Sequence, residues 1–460
     1  MTLSVPRHIF RAYDIRGRTE NELTENVADA IGRAFATVAK RRKATVIVAG
    51  DVRLSTESLR THLVKGLLDG GVDVIDIGTV PTPVLYFATH ELNTGCGIMI
   101  TGSHNPPEFN GLKFMLDGVP FADKDLLELY SLIERPSAAH QSGKLTRQSI
   151  LSIYKDRIVH DISVDKPLRV GIDCGNGVTG VLVPQLFEAI GCEVTSLYAE
   201  LDGTFPNHHP DPVKPSNLVD LIEIVQRDGL DLGIAFDGDG DRLGVVTRTG
   251  QHIQADILLS YLAKPVLDNN PGSAIIFDVK SGRAATSQVQ ELGGNLVICK
   301  TGHTNVKTNL RSTGGKLGGE FSGHICFADR WFGFDDALYT ACRLIERLSH
   351  DAYTLDEYVL SLDTWLTTPE IEINTTESRK FQIVEELQTL GDFAEAMVNH
   401  IDGIRVDYED RWGLLRASNT APKLTLRFEA KNDSAMEQIK VQFSEQLGLV
   451  APELRSVEWN

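Results

Sequence analysis

The chain has 460 residues, too many for one hydrophobic core, and its length suits about three domains. Hydrophobic residues at 42% and charged residues at 23% are those of a soluble globular protein, with no apolar run long enough to span a membrane. A net charge of −18 excludes a basic face for nucleic acid but not local Arg and Lys clusters around a small anion.

In chain order, the opening MTLSVPRHIFRAYD lacks the long apolar region of a signal peptide. Residues 45–49 predict a strand, 57–68 an amphipathic helix, 72–77 a strand and 84–92 a helix. The short apolar run 97–100 predicts a buried strand, followed by a strand at 111–115 and a helix at 123–133. The polar stretch 136–149 marks a boundary. A second unit follows with strands at 168–173, 193–197, 232–236 and 243–247, and helices at 182–190 and 218–227. A third has helices at 255–266 and 284–292 and strands at 274–279 and 296–299. This βαβ alternation implies mostly parallel sheets covered on both faces. From about Thr364 the pattern changes to alternating strands at 371–374, 403–408 and 423–428, with helices at 380–390 and 434–447. The expected fold class is therefore α/β. Three consecutive mixed α/β domains with parallel-rich sheets (1–149, 150–251, 252–363) precede a smaller C-terminal α+β domain (364–460), around a central cleft. No residue-level repeat is visible. The cysteines Cys96, Cys174, Cys192, Cys299, Cys326 and Cys342 form no CxxC pair and read as reduced core residues of a cytoplasmic protein.

Several loops carry chemistry. The strand at 97–100 runs into Thr101-Gly-Ser103-His104-Asn105-Pro106-Pro107, which puts a hydroxyl where open α/β sheets bind ligands. The prolines fix the loop's exit, as positioning requires, although a plain surface turn uses the same residues. Asp237-Gly-Asp239-Gly-Asp241-Arg242 lies between two strands. Its carboxylates, with only Gly between them, can converge on one hard cation, and an all-oxygen set favours Mg²⁺ over Zn²⁺. An EF-hand loop would need Gly and Glu where Arg242 and Arg248 stand, and the remaining alternative is a solvated acidic turn. Three protein ligands leave room for a substrate or phosphate oxygen.

Gly175-Asn-Gly177-Val-Thr-Gly180 follows a strand, opens a helix and has Glu200 at the end of the next strand. That fits a dinucleotide-binding fingerprint, and equally a tight turn that needs glycine. In Gly319-Glu320-Phe321-Ser322-Gly323-His324, an extended loop would point Glu320 and Ser322 the same way, for vicinal sugar hydroxyls; a Gly-rich turn is the plain reading. Arg416-Ala-Ser418-Asn419-Thr420, after a strand at 414–415, makes either an anion nest suited to phosphate or a polar loop with a solvated Arg. No Walker loop is present. A serine hydrolase is disfavoured because there is no GxSxG elbow and a His directly after Ser is not the geometry of a base.

TGSHNP, DGDGDR, GEFSGH and RASNT, in that order and spacing, resemble the α-D-phosphohexomutase family, most nearly its bacterial members acting on mannose and glucose phosphates. The whole chain fits, including FRAYDIRG at 10–17, GTVPTP at 78–83 and WFGFDD at 331–336. The resemblance implies an isomerase that moves phosphate between O1 and O6 of a hexose phosphate. Ser103 would be carried as phosphoserine, with Asp237, Asp239, Asp241 and a phosphoserine oxygen around Mg²⁺. A hexose 1,6-bisphosphate would form, reorient without leaving, and return its other phosphate to Ser103. Glu320 and Ser322 would hold O3 and O4, while Arg416, Ser418, Asn419 and Thr420 would hold the phosphate that is not reacting. Ser103, His104, Lys113, Arg242 and His324 form the implied catalytic set, and Tyr13, Arg16, Lys280 and His303 also line the cleft.

A site that grips O3 and O4 does not test C2, where glucose and mannose differ, so dual specificity is expected. Family members acting on glucosamine phosphate vary at the position of Phe321, which makes a phosphoglucosamine mutase the alternative. A nicotinamide enzyme using the Gly175–Gly180 loop and an inactive sugar-phosphate-binding protein are more distant readings. One departure stands out: Ala49-Gly50-Asp51-Val52-Arg53 lacks the small residue usual between its Asp and Arg, which puts the local turn in doubt. The expected protein is a cytoplasmic monomer with a small phosphosugar substrate and no nucleic-acid or membrane partner. A hinge is expected at 367–369, because the intermediate must turn around.

Overall fold

Short apolar runs closed by Gly, Asp or Pro fold into four sheets in the computed structural model, which describes residues 5–134, 142–419 and 421–454. The expected boundary at 136–149 lies partly outside the described residues, and Thr420 wholly so. The first sheet has the order Ile15–Arg18, Phe109–Leu116, Gly97–Ile100, Val46–Gly50, Val74–Thr79, Leu145–Arg147, with Val119–Pro120 beside Phe109–Leu116. The second runs His252–Ile253, Leu243–Thr247, Leu232–Phe236, Arg169–Asp173, Glu193–Leu197. The third runs Asn295–Cys299, Ala274–Asp278, Leu317–Gly319, Ile325–Phe327. Each of these three mixes parallel and antiparallel pairs. The fourth sheet is antiparallel throughout and is built around Arg411–Ala417 and Lys423–Ala430.

One geometry recurs that the residues do not repeat. In the first three sheets a strand that is parallel to one neighbour turns back into an antiparallel strand on its other side. The turns are 101–108, 237–242 and 320–324. In the fourth sheet Arg411–Ala417 is antiparallel on both sides and pairs with Lys423–Ala430. The motif loops of the first three sheets are thus hairpin connections at the carboxyl ends of strands, and the fourth motif starts within the end of Arg411–Ala417.

Several helices go beyond the expected ones, among them Glu25–Arg41, Leu151–Asp161, His303–Thr313 and Ala337–His350. The first is capped by Thr24, whose hydroxyl accepts from the Val27 N–H, and it buries Val27, Ile31, Phe35 and Val38 on one face. It crosses the helix Thr56–Asp69 closely, since a Cβ on Gly66 would stand 2.1 Å from the Asp29 carbonyl oxygen. All six cysteines are free and buried. Among the described residues, no helix is long and apolar enough to cross a membrane.

The first three units share one continuous apolar cluster, running through Ile47 and Phe87, then Ile172 and Phe236, then Phe277 and Tyr339. The fourth has its own, around Leu387, Leu415, Phe428 and Phe443. Trp331 joins parts of the large cluster. Its ring stacks on Tyr339 at 4.2 Å and on Phe87 at 5.8 Å, and its indole N–H donates to Asp336 at 3.0 Å. Trp331→Ala is expected to cost about 3–5 kcal/mol, the range for truncating a buried aromatic ring. Urea unfolding of the variant beside the parent checks this, and a loss below about 1 kcal/mol would refute the junction role.

Candidate active site

The strand Leu232–Phe236 is buried along its length and ends in the acidic turn. Asp237 shapes that turn: its Oδ1 accepts the N–H groups of Gly240, Asp241 and Arg242 at 3.0, 3.1 and 3.1 Å. Asp237, Asp239 and Asp241 are fully buried, and one oxygen from each lies within 4.8 Å of the others. Lys113 comes from the first sheet and donates to Asp239 Oδ2 at 2.7 Å and Asp241 Oδ2 at 2.5 Å. Thr82 donates to Asp239 Oδ2 at 2.5 Å, and Arg242 Nε reaches Asp237 Oδ2 at 3.3 Å.

Burial drives the Asp237 carboxyl up to about 8, with Asp239 and Asp241 adding to the push. Burial also acts against ionised Asp239, but the Lys113 ammonium overrides it and holds that carboxyl below its usual range. Lys113 itself loses solvation, yet Asp239 and Asp241 keep it charged well above the ordinary lysine range. Two cations face three carboxylates, and the buried Oδ1 atoms of Asp239 and Asp241 have no hydrogen-bond partner among the described residues. An all-oxygen donor set with unpartnered atoms fits a hard divalent cation.

Ser103 meets this cluster. Its Oγ donates to Asp237 Oδ2 at 2.7 Å, and it stands 3.2 Å from His104 Nδ1. The adjacent histidine therefore does reach the hydroxyl, contrary to the expectation from adjacency, because Ser103 adopts a left-handed backbone (φ 49°) that curls the loop. Burial, followed by the charges of Arg242, Arg16 and Lys113, holds the His104 imidazole well below its usual range, hence neutral. Arg16 donates to Asn105 Oδ1 and Asp14 Oδ2, both at 2.5 Å. The serine and metal loops touch through Gly238, where a Cβ would lie 2.5 Å from the Ser103 carbonyl oxygen.

The loop at 320–324 is a tight turn rather than extended chain, so alternation does not set its side-chain directions. The Gly323 N–H donates to the Glu320 carbonyl at 3.0 Å, with Gly323 at φ 96°. Glu320 is buried and accepts from the Gly302 N–H, while Ser322 is half-buried. His303 begins the helix His303–Thr313, and its ring stacks on that of His324 at 5.1 Å. Both imidazoles lie 3.0 Å from Asp335 Oδ2, and Lys307 holds the other oxygen of Asp335 at 2.7 Å. Burial lowers both imidazoles. For His324 the carboxylates of Asp241 and Asp335 win and raise it, whereas His303, with Lys307 beside it, falls to about 4. Asp335 lies in the WFGFDD stretch and was not singled out from sequence.

In the fourth unit Arg416 sits inside the strand Arg411–Ala417, not after it. Its Nε donates to Asp402 at 3.0 Å, and its buried Nη2 has no partner among the described residues, as a group that receives an anion would present. Asn419 donates to the Tyr13 hydroxyl at 2.6 Å, and that hydroxyl donates to the Thr301 carbonyl at 2.7 Å, linking three units. Lys380, fully buried and also missed from sequence, donates to the carbonyls of Ser418 and Ala421 at 2.6 and 3.0 Å. Lys280 lies 3.2 Å from Glu370.

The glycine loop at 175–180 is committed to packing. A Cβ on Gly177 would lie 2.9 Å from the Gly238 carbonyl oxygen, and one on Gly180 only 2.0 Å from that of Ala199. Gly177 thus packs on the acidic turn and Gly180 on the chain at Ala199, so tight packing accounts for both glycines without a nicotinamide cofactor. Substituting Gly238 should force the serine and metal loops apart, so Gly238→Ala is expected to lower turnover on the order of a hundredfold. Steady-state kinetics beside a thermal melt reads this, and parent-like turnover would show that the contact is not needed.

Four family models match along the chain: phosphoglucomutase/phosphomannomutase alpha/beta/alpha domains I, II and III at residues 7–140, 152–250 and 254–363, and the C-terminal domain at 370–446. The phosphomannomutase/phosphoglucomutase of Pseudomonas aeruginosa is 48% identical over 448 residues, 97% of each chain. A phosphoglucomutase of Neisseria gonorrhoeae is 45% identical over 445 residues, 96% of each. The crystal structure of a phosphoglucomutase/phosphomannomutase family protein from Burkholderia thailandensis superposes with a TM-score of 0.92 at 43% identity, covering 98% of this chain and 99% of that one. With all four domains matched and near-half identity end to end, the chain belongs to the phosphoglucomutase/phosphomannomutase family of phosphate-transferring isomerases.

Proposed function

We propose that the chain is a phosphomannomutase/phosphoglucomutase that interconverts hexose 1- and 6-phosphates, with Ser103 as the residue that carries the phosphoryl group. The observation that carries this reading is the Ser103 hydroxyl, 2.7 Å from Asp237 in a buried carboxylate trio. In the first half-reaction the substrate's free hydroxyl oxygen bonds to phosphorus as the bond from phosphorylated Ser103 Oγ to phosphorus breaks. The hydroxyl proton passes to a nearby base, and the second half-reaction runs the same exchange in reverse from a hexose 1,6-bisphosphate. Mg²⁺ held by Asp237, Asp239 and Asp241 would neutralise the charge on the transferring group. His104, 3.2 Å from Oγ, would handle the proton there, while Lys113, Arg242 and His324, each beside one of the three aspartates, would supply positive charge to the site. Glu320 and Ser322 are assigned to sugar hydroxyls. Arg416, Ser418, Asn419 and Thr420 are assigned to the distal phosphate, with Tyr13, Arg16, Lys280 and His303 completing the cleft. A grip on O3 and O4 leaves C2 untested, so both mannose and glucose phosphates should turn over.

Mannose 1-phosphate and glucose 1-phosphate, supplied with Mg²⁺ and a trace of the matching 1,6-bisphosphate, should each yield the 6-phosphate. Chelation should abolish turnover and Mg²⁺ restore it, and Ser103→Ala should lose more than about a thousandfold. Turnover of glucosamine 1-phosphate alone would favour the phosphoglucosamine reading. A Ser103→Ala variant as active as the parent would sink the nucleophile assignment.

A further inference from the structure

Arg53 lies outside the metal loop, and its side chain is fully buried. One guanidinium nitrogen donates to the carbonyls of Pro106 and Phe109 at 2.7 and 3.0 Å, and the other to those of Ser103 and Asn105 at 2.8 and 2.5 Å. Four carbonyls of one loop therefore turn inward on a single planar cation. Asp51 fixes that cation from behind, 3.3 Å from Nε, while its own oxygens take the N–H groups of Arg53 and Gly102 at 3.0 and 3.2 Å. The Asp51-Val52-Arg53 turn that the sequence put in doubt is intact. Gly102 lies flat on the guanidinium, with a Cβ there meeting its carbon at 2.6 Å. The second unit closes over the other side: the Phe205 ring centre is 5.1 Å from the guanidinium carbon, and Gly203 packs on the backbone of Arg53.

The clamp surrounds a residue of that loop whose backbone needs outside help. Ser103 is a non-glycine residue in the left-handed region, and such a conformation persists only where the surroundings over-determine it. Holding its carbonyl inward leaves its side chain directed at Asp237. A lysine could not replace the fork, because an ammonium has three donors and no plane to match four carbonyls.

We propose that Arg53 is the positioning residue of the catalytic loop: by gathering the carbonyls of Ser103, Asn105, Pro106 and Phe109 it sets the Ser103 oxygen in line for phosphoryl transfer, while contributing little to substrate affinity. The inference rests on Ser103 as nucleophile. A brace for folding alone would instead change stability without a selective effect on the transfer step.

The test compares Arg53→Lys, Arg53→Ala and Ser103→Ala with the parent on glucose 1-phosphate, adding rapid-quench transfer from the ³²P-labelled phosphoserine enzyme to glucose 6-phosphate. Both Arg53 variants should lose on the order of a hundredfold in kcat and in the transfer rate, as small misplacements of a reacting group do. KM should stay within about threefold, since the lost interaction acts on the reacting step rather than on binding. Millimolar methylguanidinium should restore activity to Arg53→Ala and to neither other variant. The proposal is overturned if Arg53→Lys keeps more than about half the parent kcat, if KM rises while kcat holds, or if both Arg53 variants lose their cooperative thermal transition. An inactive Ser103→Ala beside a parent-like Arg53→Lys would sink this inference alone. An active Ser103→Ala would remove the nucleophile reading and this inference with it.

Discussion

Three carboxylates buried in one short turn repel each other, and the site exists because cations reach them from elsewhere in the chain. Lys113 arrives from a strand of the first sheet, and Arg242 follows the turn directly. Unit charges about 3 Å apart interact by roughly 5 kcal/mol at an effective dielectric of about 20, while each buried ion gives up several kcal/mol of solvation. The pairing is therefore close to neutral as a source of stability. Its consequence is geometric: an unpaired member would be far more costly than the pair is favourable, so the first and second units must meet in one register. That register places the Ser103 hydroxyl on Asp237. Gly238 and Gly177 then matter because they let backbones approach where side chains would hold them apart.

The hairpin geometry explains how unrelated sequences build one site. A strand that is parallel on one side and antiparallel on the other ends beside the carboxyl ends of its sheet, and its return strand fixes both ends of the connecting loop. Short loops anchored at both ends hold side chains more firmly than free loops do. The shared apolar cluster of the first three units then fixes those loops relative to one another, with Trp331, Phe87 and Tyr339 in contact across unit boundaries.

The chemistry-bearing loops were legible because each has a local signature: alternate Asp with Gly, Ser before His-Asn-Pro-Pro, Arg before Ser-Asn-Thr. Strand positions were legible from short apolar runs, and the change of pattern near Thr364 matches the separate antiparallel sheet. Lys380 escaped because it acts on the carbonyls of Ser418 and Ala421, remote in sequence and supplied by any residue. Arg53 and Asp335 lay in stretches that were singled out, but their roles depend on carbonyls and imidazoles brought together only by the fold. The Glu320 loop was misread as extended because the left-handed Gly323 converts it to a turn. The helix Glu25–Arg41 did have a signal, a Thr24 cap before apolar positions at helical spacing, and was simply passed over. His303 was assigned to the cleft by likeness alone, and its place at a helix start is a property of the fold.

The fourth unit is held differently from the other three, and that difference bears on function. Arg405 donates to the carbonyls of Val279 and Ser281 at 2.7 and 2.8 Å, and Arg427 donates to that of Lys280 between them. Arg427 also lies 3.9 Å from the centre of the Phe321 ring, and Lys280 pairs with Glu370 just beyond the segment at 367–369. The contact is thus dominated by guanidinium groups on carbonyls and rings, with only a small apolar patch of Val279, Trp412 and Leu414. Interfaces of this polar kind resemble transient protein–protein contacts, and relative motion across them is the default expectation. A single apolar core through all four units would have fused the Arg416 loop to the turn at 237–242. A core that stops at the third unit leaves the Arg416 loop on a body with a core of its own, while Ser103 and the three carboxylates belong to units that share one. On the mechanism proposed above, a bisphosphate turns around between two transfers to Ser103, and this division suits it: rigidity at the reacting end and freedom at the gripping end.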